Sequence, residues 1–92
     1  MNGGHHVANN DLNIRLYRYL ADWNPMQFDD PTMGDAEVYE MMDAVHQIGE
    51  AEVVAQVFQQ IYQFSFDETL PYDVCLVKAT EAVNMQTECS IS

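Results

Sequence analysis

Positive charge is the scarcest feature of this sequence. Arg15, Arg18 and Lys78 stand against fifteen acidic residues, so the 92-residue chain carries a formal net charge of −12. Such a surface repels phosphate backbones and anionic lipid headgroups. Direct binding to DNA or RNA and peripheral binding to membranes are excluded on that ground. An acidic surface of this kind suits solubility, a basic protein partner, or imitation of a nucleic acid.

Other shortages exclude more. The two cysteines, Cys75 and Cys89, form no C-x-x-C pair and are too few for a disulfide framework, so a reducing cytoplasm is the expected setting. No apolar run approaches the roughly 18 residues that a membrane span needs. The opening MNGGHHVANN has neither the basic nor the apolar segment of a signal peptide. There is no glycine-rich phosphate loop, and Ser65 lacks a G-x-S-x-G context. Cys75 has only Lys78, one turn on, to lower its thiol pKa, and it falls among apolar residues as a small core side chain would. These absences predict a protein that is not an enzyme and holds no cofactor.

What the chain does have is enough apolar material for one core. Hydrophobic residues make up 48%, with six methionines, five tyrosines, four phenylalanines and one tryptophan. At this length one domain is expected, with stability that is marginal by size. Residues 1–9, rich in glycine, asparagine and histidine, read as a flexible arm, residues 10–84 as one helical domain, and 85–92 as a tail.

Four helices are predicted. The first begins near Asn10 or Asp11, and Leu12, Leu16, Tyr19, Leu20 and Trp23 recur at spacings of three and four along one face. Pro25 disfavours the α conformation at Asn24, so the helix must stop there. Met26 and Phe28 then fold back beside the indole, making LADWNPMQF a hydrophobic corner rather than a reactive motif. A second helix runs from about Asp35, as its cap, to Ile48, burying Val38, Met41, Met42, Val45 and Ile48 and leaving Glu37, Glu40 and Asp43 in water, with Gly49 as its stop. The third runs from about Glu50 to Phe64. YQFSF alternates like a strand, but no second strand exists to pair with it, so it reads as a frayed helix end and turn. The fourth, about 70–84 with Thr69 as N-cap, packs Tyr72, Leu76, Ala79 and Val83. The fold class is all-α, a compact bundle of about four helices with the Trp-x-Pro corner after the first.

Candidate metal sites are thin. DDPTMGD lacks the alternating acids and distant glutamate of an EF-hand loop. Asp43, His46 and Glu50 share a helical face, but no other histidine lies in the folded region to complete a bundle metal site, and Glu81 is the one acid to recruit. His5 and His6 are adjacent in the arm, which makes a poor ligand pair. No metal is expected.

Several stretches, LADWNPMQF, YEMMDAVHQ, YQFSFDETLPYDVCLVKA and the terminal ECSIS, resemble in the same order the YugE-like family, small uncharacterised proteins of low-GC Gram-positive bacteria. The resemblance spans roughly residues 12 to 92. It implies a compact all-helical domain and no activity, so no catalytic residue carries over. Family members read WDP where this chain has Trp23-Asn24-Pro25, and the loop 29–36 is longer here. Asparagine and aspartate share a turn-forming role, which makes the swap a structural one.

The leading functional expectation is a non-catalytic protein-interaction module. Met26, Met33, Phe64 and Phe66 lie outside the clean helical stripes and, with Glu37, Glu40 and Asp43, outline an apolar and acidic interaction surface for an unidentified protein partner. The same aromatics allow a homodimer. The alternatives are an acidic mimic of nucleic acid that inhibits a basic protein, with Glu37, Glu40 and Asp43 as its row of charges, and a metal-binding protein centred on His46.

Overall fold

The computed structural model describes the backbone of residues 3–91, and the side chains outside 1–10, 31 and 88–92. It consists of four α-helices, α1 (Gly3–Trp23), α2 (Asp35–Ile48), α3 (Ala51–Phe66) and α4 (Tyr72–Ile91), with a short 3-10 helix, Pro31–Gly34, before α2. No strand occurs among the described residues. The fold is the all-α bundle that the periodicity predicts. α3 lies between α2 and α4, and α1 lies against α2 and α4. His5, His6 and Cys89, considered above, have side chains outside the described residues.

Two helices are longer than their sequence suggests. α1 extends back to Gly3, where an arm was expected. Elongation fixes one residue per hydrogen bond gained, so a segment too weak to start a helix can continue one. α4 runs on to Ile91 rather than stopping near residue 84. Met85 still packs on the core, which carries the helix past the expected end. Its start is also later than expected. The Cys75 N–H reaches the Pro71 carbonyl at 3.1 Å, and Thr69 does not cap the helix but donates its hydroxyl to Gln63 Oε1.

The core is built from Leu16 and Leu20 of α1, Met41 and Val45 of α2, Val54, Ala55, Phe58 and Tyr62 of α3, and Cys75, Ala79 and Ala82 of α4. The three small residues on α4 lie on its buried side, where they allow the backbone of α3 to come close. Burial of a side chain such as Phe58 contributes roughly 1.5–3 kcal/mol, and Phe58, Tyr62, Leu16, Leu20 and Met41 are all essentially water-free.

The alternation in YQFSF is resolved by helix geometry. Tyr62 and Phe66 are four apart, face the core and stack with ring centroids 5.6 Å apart. Phe64 lies about 200° round from Tyr62 and is 91% exposed. Asp67 then ends α3 in the left-handed region at φ 56°, and its N–H and that of Glu68 close back on the carbonyls of Gln63 and Tyr62. Aspartate is one of the few non-glycine residues that tolerates this conformation.

The chain turns at the Trp23 corner as expected, but the ring contact of Phe28, expected beside the indole, is to Phe66. α1 ends at Trp23, whose ring lies 6.0 Å from Phe58 and 6.3 Å from Tyr62. Asn24 takes φ 41° and bridges the turn through its side chain to the backbone of Phe28, and the Gln27 N–H bonds the Asn24 carbonyl at 2.9 Å. Phe28 in turn meets Phe66 edge-on at 5.5 Å, and Met26 packs on the core. The small hollow remaining beside Met26 and Phe28 holds about 10 Å³, the lower limit of what a single water needs.

Candidate functional site

α2 presents two flanks. One faces α1. There the Tyr17 hydroxyl donates to Asp35 Oδ1, the Tyr17 and Tyr39 rings lie 5.6 Å apart, and His46 Nε2 pairs with Asn13 Oδ1 at 3.1 Å. The bond to Asp35, ahead of desolvation, pushes the Tyr17 phenol up to about 12. Asp35 was expected to cap α2. It stands instead at the first helical position with Gly34 as N-cap, and its carboxylate ties α1 to α2. Asp30 does the capping one element earlier, accepting the Thr32 N–H and hydroxyl, and those bonds hold its carboxyl below the usual range.

The other flank of α2 faces α3 and forms a groove of about 310 Å³. Glu40, Asp43 and Gln47 stand along one lip, and Ala44, Ile48, Val57 and Ile61 make the floor. The spacing explains the shape. Glu40, Asp43 and Gln47 recur at three and four on α2, and Ala44 with Ile48 does the same one step round. Opposite them on α3, Val57 and Ile61 are one turn apart. Because Ala44 has only a methyl side chain, the ridge is cut down between the acids and the α3 aliphatics. Ile48 was expected to be core and is 37% exposed at the groove end. Gln47 donates to Asp43 Oδ1 at 2.9 Å, which fixes that carboxylate at the lip.

Of the residues singled out from sequence, Glu40 and Asp43 are exposed and share this lip, while Glu37 is not in water as expected but 9% exposed. Its position, three before Glu40, turns it toward α3 and Tyr62, whose phenol is pushed up to about 12 by burial first and by Glu37 second. The acidic row is therefore two residues long on this face. Met26 and Phe66 are partly buried and cover the core, whereas Met33 and Phe64 are exposed, 66% and 91%. The four do not form one patch: Phe66 points inward beside Phe28 and Tyr62, and Phe64 lines a separate groove on the outer face of α3 with Gln56, Gln59, Gln60, Gln63 and Thr69. The floor residues Ile48, Val57 and Ile61 were read as core, and the signal that marks them is the alanine between Asp43 and the end of α2.

Cys75 is buried and free, and burial, ahead of Asp73, pushes its thiol up to about 11. Lys78, a turn away, is turned to the Tyr19 ring at 5.1 Å. No group of three or more His, Cys, Asp or Glu side chains among the described residues is placed to hold a metal ion. His46 points to Asn13 on α1, and Glu81 of α4 acts on Tyr19, raising its phenol after desolvation. Among the described residues no helix is long and apolar enough to cross a membrane.

Comparison with known proteins places the chain. Residues 15–92 match the family described as Domain of unknown function (DUF1871), and the chain belongs to that family. It is 27% identical over 60 residues to the uncharacterized protein YugE of Bacillus subtilis (strain 168), covering 65% of this chain and 69% of that protein. It is also similar to a crystal structure of a Bacillus stearothermophilus protein, with a TM-score of 0.79 and 28% identity over 85% of this chain and 95% of the other. The resemblance seen in LADWNPMQF and YQFSFDETLP thus reflects true family membership.

Proposed function

We propose that this member of the DUF1871 family is a non-catalytic protein-interaction module that takes a basic, amphipathic segment of a partner into the α2–α3 groove. The observation that carries the reading is the pairing of the Glu40 and Asp43 carboxylates with the aliphatic floor of Ile48, Val57 and Ile61 in one groove. A segment with lysines or arginines on one side and aliphatic residues on the other matches both surfaces. The net charge of −12 steers such a segment toward the chain from a distance. Burial of the floor supplies the non-electrostatic part of the affinity.

A nucleic-acid mimic needs a longer run of charges. Burial of Glu37 leaves Glu40 and Asp43 as the exposed pair on this helix, which favours the groove over the mimic. The test is titration of the isotope-labelled chain with a synthetic amphipathic helix carrying lysines on one face and leucines on the other. Amide shifts concentrated at residues 40–48 and 57–61, and lost at high salt, support the groove. Shifts scattered over Asp29, Asp30, Asp67 and Glu68 reject it in favour of undirected charge attraction.

A further inference from the structure

We infer that the outer face of α3 docks a second copy of this chain. α3 spans 16 residues, Ala51–Phe66, and Glu52 is its one charged residue, in a protein with fifteen acids. Its solvent side carries Gln56, Gln60, Gln63 and the exposed Val53 and Phe64. Loss of charge at the centre of a surface is the compositional mark of an interface. The charge also argues for which partner covers it. A basic partner gains by meeting acids, and this face has almost none to offer. A second copy, also at −12, is repelled by every acidic face and meets least repulsion here.

The face carries both a knob and a hollow. Phe64 projects from one end, and beside it the glutamines frame an open groove of about 760 Å³ running back along the helix. In a two-fold, antiparallel pairing of α3 with its equivalent, centred on Gln60, Phe64 lies opposite Gln56 of the second copy and beside that copy's Val53. The two Gln60 amides meet at the axis, where each both donates and accepts. Glu52 falls at the end of the pair, opposite Asp67 and Glu68 of the second copy, so like charge is confined to the rim. A single helix of about 24 Å gives less contact than the roughly 800 Å² per partner of a standard interface. The dimer is therefore reversible and dissociates on dilution.

Salt separates this inference from the groove reading. Binding of a basic segment weakens as salt rises, whereas pairing of two like-charged copies tightens. The experiment is sedimentation equilibrium of the full chain up to millimolar concentration, at about 50 and about 500 mM salt, with Phe64→Ser and Gln60→Glu alongside. Both positions are exposed, so the variants should fold, and circular dichroism melts check that they do. The expected result is a monomer–dimer equilibrium that tightens with salt and is weakened at least about tenfold by each substitution. A chain that stays monomeric throughout, a dimer that loosens as salt rises, or one indifferent to either substitution overturns the inference.

Discussion

Asn24 and Phe28 are joined twice: Asn24 Nδ2 donates to the Phe28 carbonyl at 2.9 Å, and Asn24 Oδ1 accepts the Phe28 N–H at 3.1 Å. One side chain closes the turn that follows Pro25 and brings Phe28 to Phe66. An amide does this because it both donates and accepts, and a carboxylate only accepts. Asn24→Asp should therefore lower stability by about 1–2 kcal/mol, the cost of one lost partner and an anion set against a carbonyl. Urea denaturation measures it, and an unchanged midpoint would show the second bond to be idle.

Gly49 ends α2 at φ 77°, with nothing within 4 Å of where a Cβ would stand. Gly49→Ala should cost about 1 kcal/mol from backbone conformation alone. Gly34 is a control: its φ of −104° suits any residue, and an added Cβ meets the Phe28 ring at an ordinary 3.5 Å. Gly34→Ala should shift the urea midpoint far less. Equal losses at the two sites would contradict the assignment.

High pH should unfold the protein by a definable route. Burial holds the Tyr62 phenol up to about 12 and the Cys75 thiol up to about 11, against ordinary values of 10.0 and 9.0. Both groups are favoured in their neutral forms by folding. Their contribution is complete below the unfolded values and is lost as pH climbs through the folded ones. Stability should be flat toward pH 9 and fall between there and pH 12. Urea midpoints across that range follow it, and Tyr62→Phe should flatten the upper part of the fall. A level profile to pH 12 would show that neither group is desolvated.

Much of this was legible in the sequence for a plain reason. Leu16, Leu20, Val38, Met41, Val45, Val54 and Phe58 repeat with the helical period, and Pro25 and Gly49 punctuate the chain, so helices and their inner faces could be read directly. Helix ends were less legible. Asp67 supplies a left-handed stop of the kind that glycine usually provides, and Met85 extends α4 through a contact that no local pattern announces. Glu37 shows the limit for the site. By type it belongs in water, and it becomes buried only when α2 and α3 pack together and bring it near Tyr62. The groove is equally a property of two helices. Glu40 and Asp43 could be named from α2 alone, but Val57 and Ile61 become its floor only when α3 is laid beside Ala44.

The central claim is that location, and not total charge, makes Glu40 and Asp43 a binding site. It is tested most directly by calorimetric titration of the lysine–leucine helix against two variants of equal net charge, Glu40→Lys/Asp43→Lys and Asp22→Lys/Glu81→Lys, whose four positions are all exposed. The groove variant should bind at least about tenfold more weakly than the wild type, while the control stays within a few-fold of it. Equal weakening of the two would contradict the claim and leave the groove without a role.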